Sequence, residues 1–520
     1  MKASTLTKKL LSLIAVLMAL VMAFSACTEK PTADVDTSSV EDEGDNDNTT
    51  ESEDGTESED GTESEDGTES EDEKTSGKTS GKTSGKTSGK TSGKTSGKTS
   101  TAKVSSSTTN NANWPDYSNI PADVKKKEVH ILMWRDFTKS EKKLIDDFQK
   151  KTGIKVRKTI TTETEYTTKL VSLISKDAPD VVMMQSNIFP SIAINAMQPL
   201  DADAFHLDSK IWYKGFMDYY KIKGKYYSVA RTGSWSVEDC NYVTYYNPAV
   251  LKACNVSDAE MPFALYQAGK WDWKAQKEIA LKVKNNGASK NYSGITMQSA
   301  AMYMLSAGVD FADYDSSKSK FVSNLDSDKR NTIISAWQEV SDLRKLGGAV
   351  NGWYMSEVQQ GRVGLFTAIA YGLYNEGGWF DKVAGGYANL QAVPVAGPKA
   401  SSSYTPVRPK TWGVAKNADN MEGAAYFLSY YLNPDNIDMS STFYNKQFES
   451  VWKIICSNTT KKRVMTGTGI VDYLESGLYA NMVDQLFRAD SAQVAATLDQ
   501  NKKKVSNAIT KANAKIDRMK

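Results

Sequence analysis

The chain has 520 residues and a formal charge of +1, from 64 Lys and Arg against 63 Asp and Glu. That balance excludes a protein whose whole surface is built to attract nucleic acid, and at roughly 100–200 residues per domain the length allows two to four domains. Two His and four Cys make a multi-metal or zinc-ribbon protein a poor fit. The 11 Trp, 25 Tyr and 15 Phe are all absent from residues 28–113, so a long polar segment dilutes an ordinary, aromatic-rich globular body.

Lys2, Lys8 and Lys9 precede an uncharged apolar run, Leu10 to Phe24, which ends in Ser25-Ala26-Cys27. The run falls short of the about 20 residues that a membrane-spanning helix needs and has the form of a signal peptide. Phe24-Ser25-Ala26-Cys27 resembles a bacterial lipobox, with Phe24 in place of the usual aliphatic residue, and predicts lipidation at Cys27. Residues 28–113 are low in complexity: Thr50 to Asp72 repeats Thr-Glu-Ser-Glu-Asp-Gly, and Lys74 to Lys98 repeats Lys-Thr-Ser-Gly. Neither repeat buries enough apolar surface to offset the entropy of ordering, so a disordered tether is expected. Taken as a random coil it spans roughly 50 Å r.m.s.. Gly77-Lys-Thr-Ser-Gly81-Lys82-Thr83 imitates a phosphate-binding loop, but three residues rather than four separate its glycines.

The folded body is expected over residues 114–520. Glu128–Trp134 reads as a buried strand. Thr138-Lys-Ser-Glu141 is a capping box opening a helix with Leu144, Ile145 and Phe148 on one face, and Gly153 stands where a C-cap glycine should. Ile154–Ile160 alternates as a strand, a helix follows from about Glu163, and Asp180–Met184 is a third strand. Strand–helix–strand–helix–strand means parallel right-handed units and an α/β sheet, in which ligands bind beyond the carboxyl ends of the strands. Later strands are expected at Lys225–Ala230, Asn241–Tyr246, Arg362–Ala370, Asn389–Val395 and Thr411–Val414, and helices at Asp272–Lys284, Met421–Leu432 and the last forty residues. About 400 folded residues exceed a single core, so two lobes are expected.

The motif order resembles the family 1 extracellular solute-binding proteins, the sugar-binding lipoproteins of bacterial ABC importers. The resemblance runs from about residue 126 to 440. It rests on the strand ending in Trp134, Gly153-Ile-Lys-Val and Pro179-Asp180-Val-Val-Met-Met. Further along, Gly224-Lys-Tyr-Tyr-Ser-Val-Ala230 stands where the family has G-x-x-Y-x-x-P, with Ala230 for the proline, and Val243-Thr-Tyr-Tyr-Asn247 where it has L-x-Y-N. Trp271-Asp272-Trp273, Gln360-Gly361-Arg-Val-Gly-Leu365 and Val393-Pro394-Val-Ala-Gly397-Pro398 complete the series. What this implies is an α/β, two-lobed periplasmic-binding-protein-like fold of type II, the maltose-binding-protein arrangement, with the ligand in the interlobe cleft. The N-lobe would hold about residues 126–243 plus a later segment, the C-lobe mainly 247–385 plus the C-terminal helices. The family carries no catalysis, cofactor or metal. Its members capture a sugar or oligosaccharide and pass it to membrane permease subunits. A monomer, lipid-anchored at the outer face of the cell membrane, is expected; the long tether suits a cell with one membrane and a thick wall.

Sugars present apolar CH faces and a hydroxyl rim, so the binding candidates are aromatic platforms and planar polar groups near strand ends. These are Trp134, Arg135, Gln185, Ser186, Trp235, Trp353, Tyr371, Arg408 and Trp412. Asn187 serves equally well as a helix N-cap, while Trp271 and Trp273 match a helix start that packs locally. His130 and His206 read as structural. Cys240 and Cys254 either pair or stay as buried thiols. The alternatives are a binding protein for a polyamine, peptide or iron, a glycan-adhesion protein, or a glycoside hydrolase. No Gly-x-Ser-x-Gly, His-Glu-x-x-His or EF-hand pattern supports an enzyme.

Overall fold

Local rules govern the opening of the body. β1 (Val129–Met133) is buried throughout, as a strand covered on both faces must be. Thr138 and Glu141 form the expected reciprocal capping box at the start of the helix Lys139–Thr152. That helix stops at Gly153, whose φ of 77° only glycine adopts without strain. β2 (Val156–Ile160), the helix Tyr166–Leu173 and β3 (Val181–Met184) follow in the order the pattern requires. The computed structural model describes residues 114–519 apart from 163–164, 186–187, 234–239, 376–377, 409, 438–441, 458–460, 466–470, 472–473 and 475–476. The lipobox Cys27, both repeats and the phosphate-loop imitation lie outside these residues.

The remaining strands are β4 (Ser228–Val229), β5 (Tyr242–Tyr246), β6 (Ser293–Met297), the hairpin β7 (Ala312–Asp315) and β8 (Lys320–Ser323), β9 (Ala349–Asn351), β10 (Val363–Ile369), β11 (Gln391–Pro394), β12 (Thr405–Val407), β13 (Thr411–Gly413) and β14 (Lys462–Val464). They build two five-stranded sheets, ordered β2-β1-β3-β13-β4 and β11-β5-β10-β6-β9. In the first, β13 runs antiparallel to both β3 and β4. In the second, β5 runs antiparallel to both β10 and β11. Read from its other end, the second sheet repeats the first, with β6, β9 and β10 standing for β1, β2 and β3. Each sheet receives its one antiparallel strand from a chain that has just left the other lobe. This is the type II two-lobed fold.

The crossing segments, 230–241 and 395–410, meet where Asn241 pairs with Val407 and the Arg408 amide donates to the Cys240 carbonyl at 2.9 Å. The chain crosses again after the helix Met421–Tyr431, which packs on the helix Lys139–Thr152; the helix Lys446–Cys456 then covers β11. The expected strand at Lys225–Ala230 shrinks to the two residues of β4. Lys223 and Gly224 take positive φ in a tight turn closed by an Ile222–Lys225 bridge, and that turn consumes the front of the segment. Central β6 and the helix Arg330–Lys345 carried no marker that the strand and helix patterns had flagged. No disulfide joins Cys240 and Cys254, so the pairing left open for them is not made. Among the described residues no helix is long and apolar enough to cross a membrane.

Candidate functional site

Parallel strands aim their carboxyl ends one way, and both sheets aim theirs at the gap between the lobes. On the first lobe, β1 ends at Met133 and delivers Trp134 and Arg135 to that edge. Trp134 is half-buried and meets Tyr166 edge-on, with ring centroids 6.5 Å apart. The Tyr166 hydroxyl donates to the Leu132 carbonyl at 2.9 Å, which fixes the ring under Trp134. Arg135 forks onto Glu141, its Nη1 and Nη2 donating to the two carboxylate oxygens at 2.6 and 2.8 Å. Glu141 also accepts from the Tyr431 hydroxyl at 2.5 Å and the Thr138 amide at 2.7 Å. Burial alone would push the Glu141 carboxyl up. Arg135, Tyr431 and Thr138 outweigh it and hold the group below its usual range. Arg135, pulled down by burial, is raised on balance by Glu141, with Tyr371 of the other lobe within electrostatic reach.

Gln185 follows β3 and is buried; its backbone carbonyl accepts from the Ile188 amide at 3.1 Å. Ser186, Asn187 and Trp235 fall outside the described residues. Arg231, at the end of β4, donates through Nη1 to the Ser429 carbonyl at 2.9 Å and through Nη2 to Asn433 Oδ1 at 3.0 Å.

The second lobe offers a different edge. Trp353 follows β9 and Tyr371 follows β10. The first is 49% exposed and stands edge-on to Phe366 and Trp379, at 5.7 and 4.8 Å. Tyr371 lies 5.8 Å from the same Trp379 ring, nearly perpendicular at 70°. Trp379 is therefore the post on which both candidate platforms lean. It can sit there because Gly372 has no side chain: a Cβ at that position would lie 2.5 Å from the Trp379 ring. Trp379 was not among the expected residues. Its signal was available in the Gly378-Trp379 pair, the same pairing as Gly352-Trp353.

Two expectations need correction or restatement. Trp412 is not at the cleft surface. It is the middle residue of β13, 1% exposed, and packs edge-on against Tyr431 at 5.3 Å. Its ring therefore faces the last residue of the helix Met421–Tyr431. Arg408 lies in the crossing segment, half-buried. Trp134, Arg135 and Gln185 thus follow strands of the first lobe and Trp353 and Tyr371 follow strands of the second, with Arg135 and Tyr371 in electrostatic reach of each other and Arg408 in the crossing segment.

Trp271 and Trp273 are structural, as expected. Trp271 Nε1 donates to the Pro394 carbonyl at 2.7 Å, and Trp273 Nε1 to the Ala396 carbonyl and Ser306 Oγ at 3.1 Å each. His130 is buried in β1 with Nε2 2.8 Å from Thr159 Oγ1, and burial lowers its pKa. Among the described residues no three His, Cys, Asp or Glu side chains gather as metal ligands.

The profile of the bacterial extracellular solute-binding proteins matches residues 134–437, more than half of the 520. No curated protein matches the chain by sequence. Among solved structures, the sugar-binding protein MalE from Xanthomonas citri superposes with a TM-score of 0.56 at 14% identity, over 76% of this chain and 100% of that one. The GacH receptor of Streptomyces glaucescens, solved unliganded and with acarbose, gives 0.51 at 17% over 73% and 98%. UgpB from Mycobacterium tuberculosis, in complex with glycerophosphocholine, gives 0.56 at 15% over 73% and 99%. At such identities the likeness establishes the fold, and the length of the profile match establishes the kinship: this chain belongs to the bacterial extracellular solute-binding protein family.

Proposed function

We propose that the protein is the carbohydrate receptor of an ABC importer, enclosing a sugar or oligosaccharide between its lobes and handing it to membrane permease subunits. The observation that carries this reading is the aromatic cluster of the second lobe, where Trp353 and Tyr371 are braced by Trp379 and Tyr371 lies within electrostatic reach of the fixed guanidinium of Arg135 on the other lobe. A sugar ring stacks by its CH face on such platforms while its hydroxyls reach polar groups opposite. Ligand affinity for the closed arrangement of the lobes would then drive closure, and closure is the signal a permease reads. Lipidation at Cys27 and a tether over residues 28–113 would hold the receptor at the outer face of the membrane while letting it range roughly 50 Å from the anchor.

Thermal shift and tryptophan fluorescence of the purified protein against a panel of oligosaccharides test the reading. A ligand at 100 times its dissociation constant stabilises the fold by about 2.7 kcal/mol. A saturable response to one glycan class, lost in Trp353→Ala, is the expected result. Silence across the glycans with a response to glycerophosphocholine, a polyamine or ferric ion would overturn the carbohydrate reading and leave the fold intact. Incorporation of labelled palmitate by cells, abolished in Cys27→Ser, tests the anchor separately.

A further inference from the structure

Two lobes joined only by crossing segments are free to swing apart along both flanks. Here one flank is tied. The hairpin β7–β8 is rooted in the second lobe: Phe311, just before it, stacks on Trp337 of the helix Arg330–Lys345 with planes 7° apart, and Asp313 pairs with Arg463 of β14 and with Lys329 at 2.7 Å. The C-terminal helix Val494–Arg518 backs the hairpin, where Phe321 exchanges two hydrogen bonds with the Asn513 side chain, at 2.8 and 3.0 Å.

The other side of the hairpin lies on the first lobe. Phe189, in the helix Ile188–Ala193 after β3, sits 4.8 Å from Phe321, 4.9 Å from Tyr314 and 5.4 Å from Tyr220. All four rings are buried. The Tyr314 hydroxyl donates to the Lys221 carbonyl at 3.0 Å, and the Lys223 amide donates to Ser319 Oγ at 2.7 Å. Lys223 Nζ donates to the Asp517 carbonyl at 2.9 Å. These contacts fall at the turn leading into β4, the edge strand of the first sheet. Parting the seam would wet four aromatic rings and break these interlobe hydrogen bonds together.

We propose that the hairpin β7–β8 and the C-terminal helix form a strap that stays bound to the first lobe while the cleft opens and closes, so that the lobes part at the β2 flank by twisting about the strap. The proposal rests on the two-lobe architecture and is independent of which solute the cleft takes. Hydrogen exchange of the ligand-free full chain tests it. Peptides covering Lys221–Tyr226 and Ser319–Ser323 are expected to exchange as slowly as those of β1 and β6. Exchange at the rate of exposed loops would overturn the strap. In Lys223→Cys/Ser319→Cys, oxidised glutathione is expected to cross-link the pair in the ligand-free chain and to leave exchange at the end of β2, residues 159–162, unchanged. Failure to cross-link, or slowing there by about tenfold or more on cross-linking, would mean that the seam opens with the lobes, and the proposal would fall.

Discussion

The two edges of the cleft are built on opposite principles. On the first lobe the group at the end of β1 is already committed, Arg135 to Glu141 and Glu141 to Tyr431 and Thr138, and behind that edge the buried Trp412 packs on the same Tyr431. On the second lobe Trp353 stands half in water, supported from the side and uncovered on top. The pseudo-symmetry of the sheets makes the contrast informative, because equivalent positions in equivalent topologies have been put to different use. The first lobe supplies a rigid, pre-oriented polar rim, and the second supplies open aromatic surface. Substitutions on the first edge should therefore register in stability, and those on the second in affinity.

The largest effect is expected from Trp412→Ala, which empties a fully buried site beside Tyr431 and should cost about 4 kcal/mol in chemical denaturation. If that variant folds normally and loses only ligand affinity, the division between the edges is wrong. Glu141→Ala should cost about 3 kcal/mol, because Arg135 keeps its charge in a partly buried position without its partner. Glu141→Gln, which retains an acceptor, should recover part of that loss.

A comparable effect of pH arises on the first lobe. Burial pushes the Asp180 carboxyl up to about 6 from its ordinary 3.8, against opposing hydrogen bonds from the His130 and Asn420 amides. Between those two values the folded protein holds this proton more firmly than the unfolded chain does. The contribution to stability is therefore full below the ordinary value and is lost as pH rises through about 6, by about 3 kcal/mol in all. The stability of the native chain relative to Asp180→Asn should therefore shrink as pH rises across that range, which paired denaturation midpoints of the two proteins would show. The smallest effect is the one that bears on function. Trp353→Ala should weaken binding of the glycan found by the panel by about 2 kcal/mol, roughly 30-fold in Kd, while stability moves by less than about 0.5 kcal/mol. A stability loss rivalling that of Trp412→Ala would make Trp353 a packing residue and remove the contrast.

Much of the fold was legible because its signals are local. The Thr138–Glu141 box, Gly153 and the apolar runs of β1 and β3 act within a few residues of themselves, and the structure repeats them almost to the residue. The candidate site was legible in part. Trp134, Arg135, Trp353 and Tyr371 follow strand ends, and a parallel sheet sends every strand end to the same edge. Trp412 misled because three residues of strand do not reveal which face looks toward a helix and which toward a cleft. Trp379 stayed hidden because its place depends on Gly372, seven residues earlier, having no side chain where the ring must pass.

By itself the sequence determined the family order of motifs and the α/β architecture, since each follows from neighbours along the chain. Only the tertiary structure decided which tryptophan is buried and which is exposed, that Arg135 is spoken for by Glu141, and that the hairpin Ala312–Ser323 binds across to Phe189. Those outcomes depend on pairs of groups far apart in the chain, such as Glu141 and Tyr431, whose meeting is set by the packing of the helix Met421–Tyr431 on the helix Lys139–Thr152.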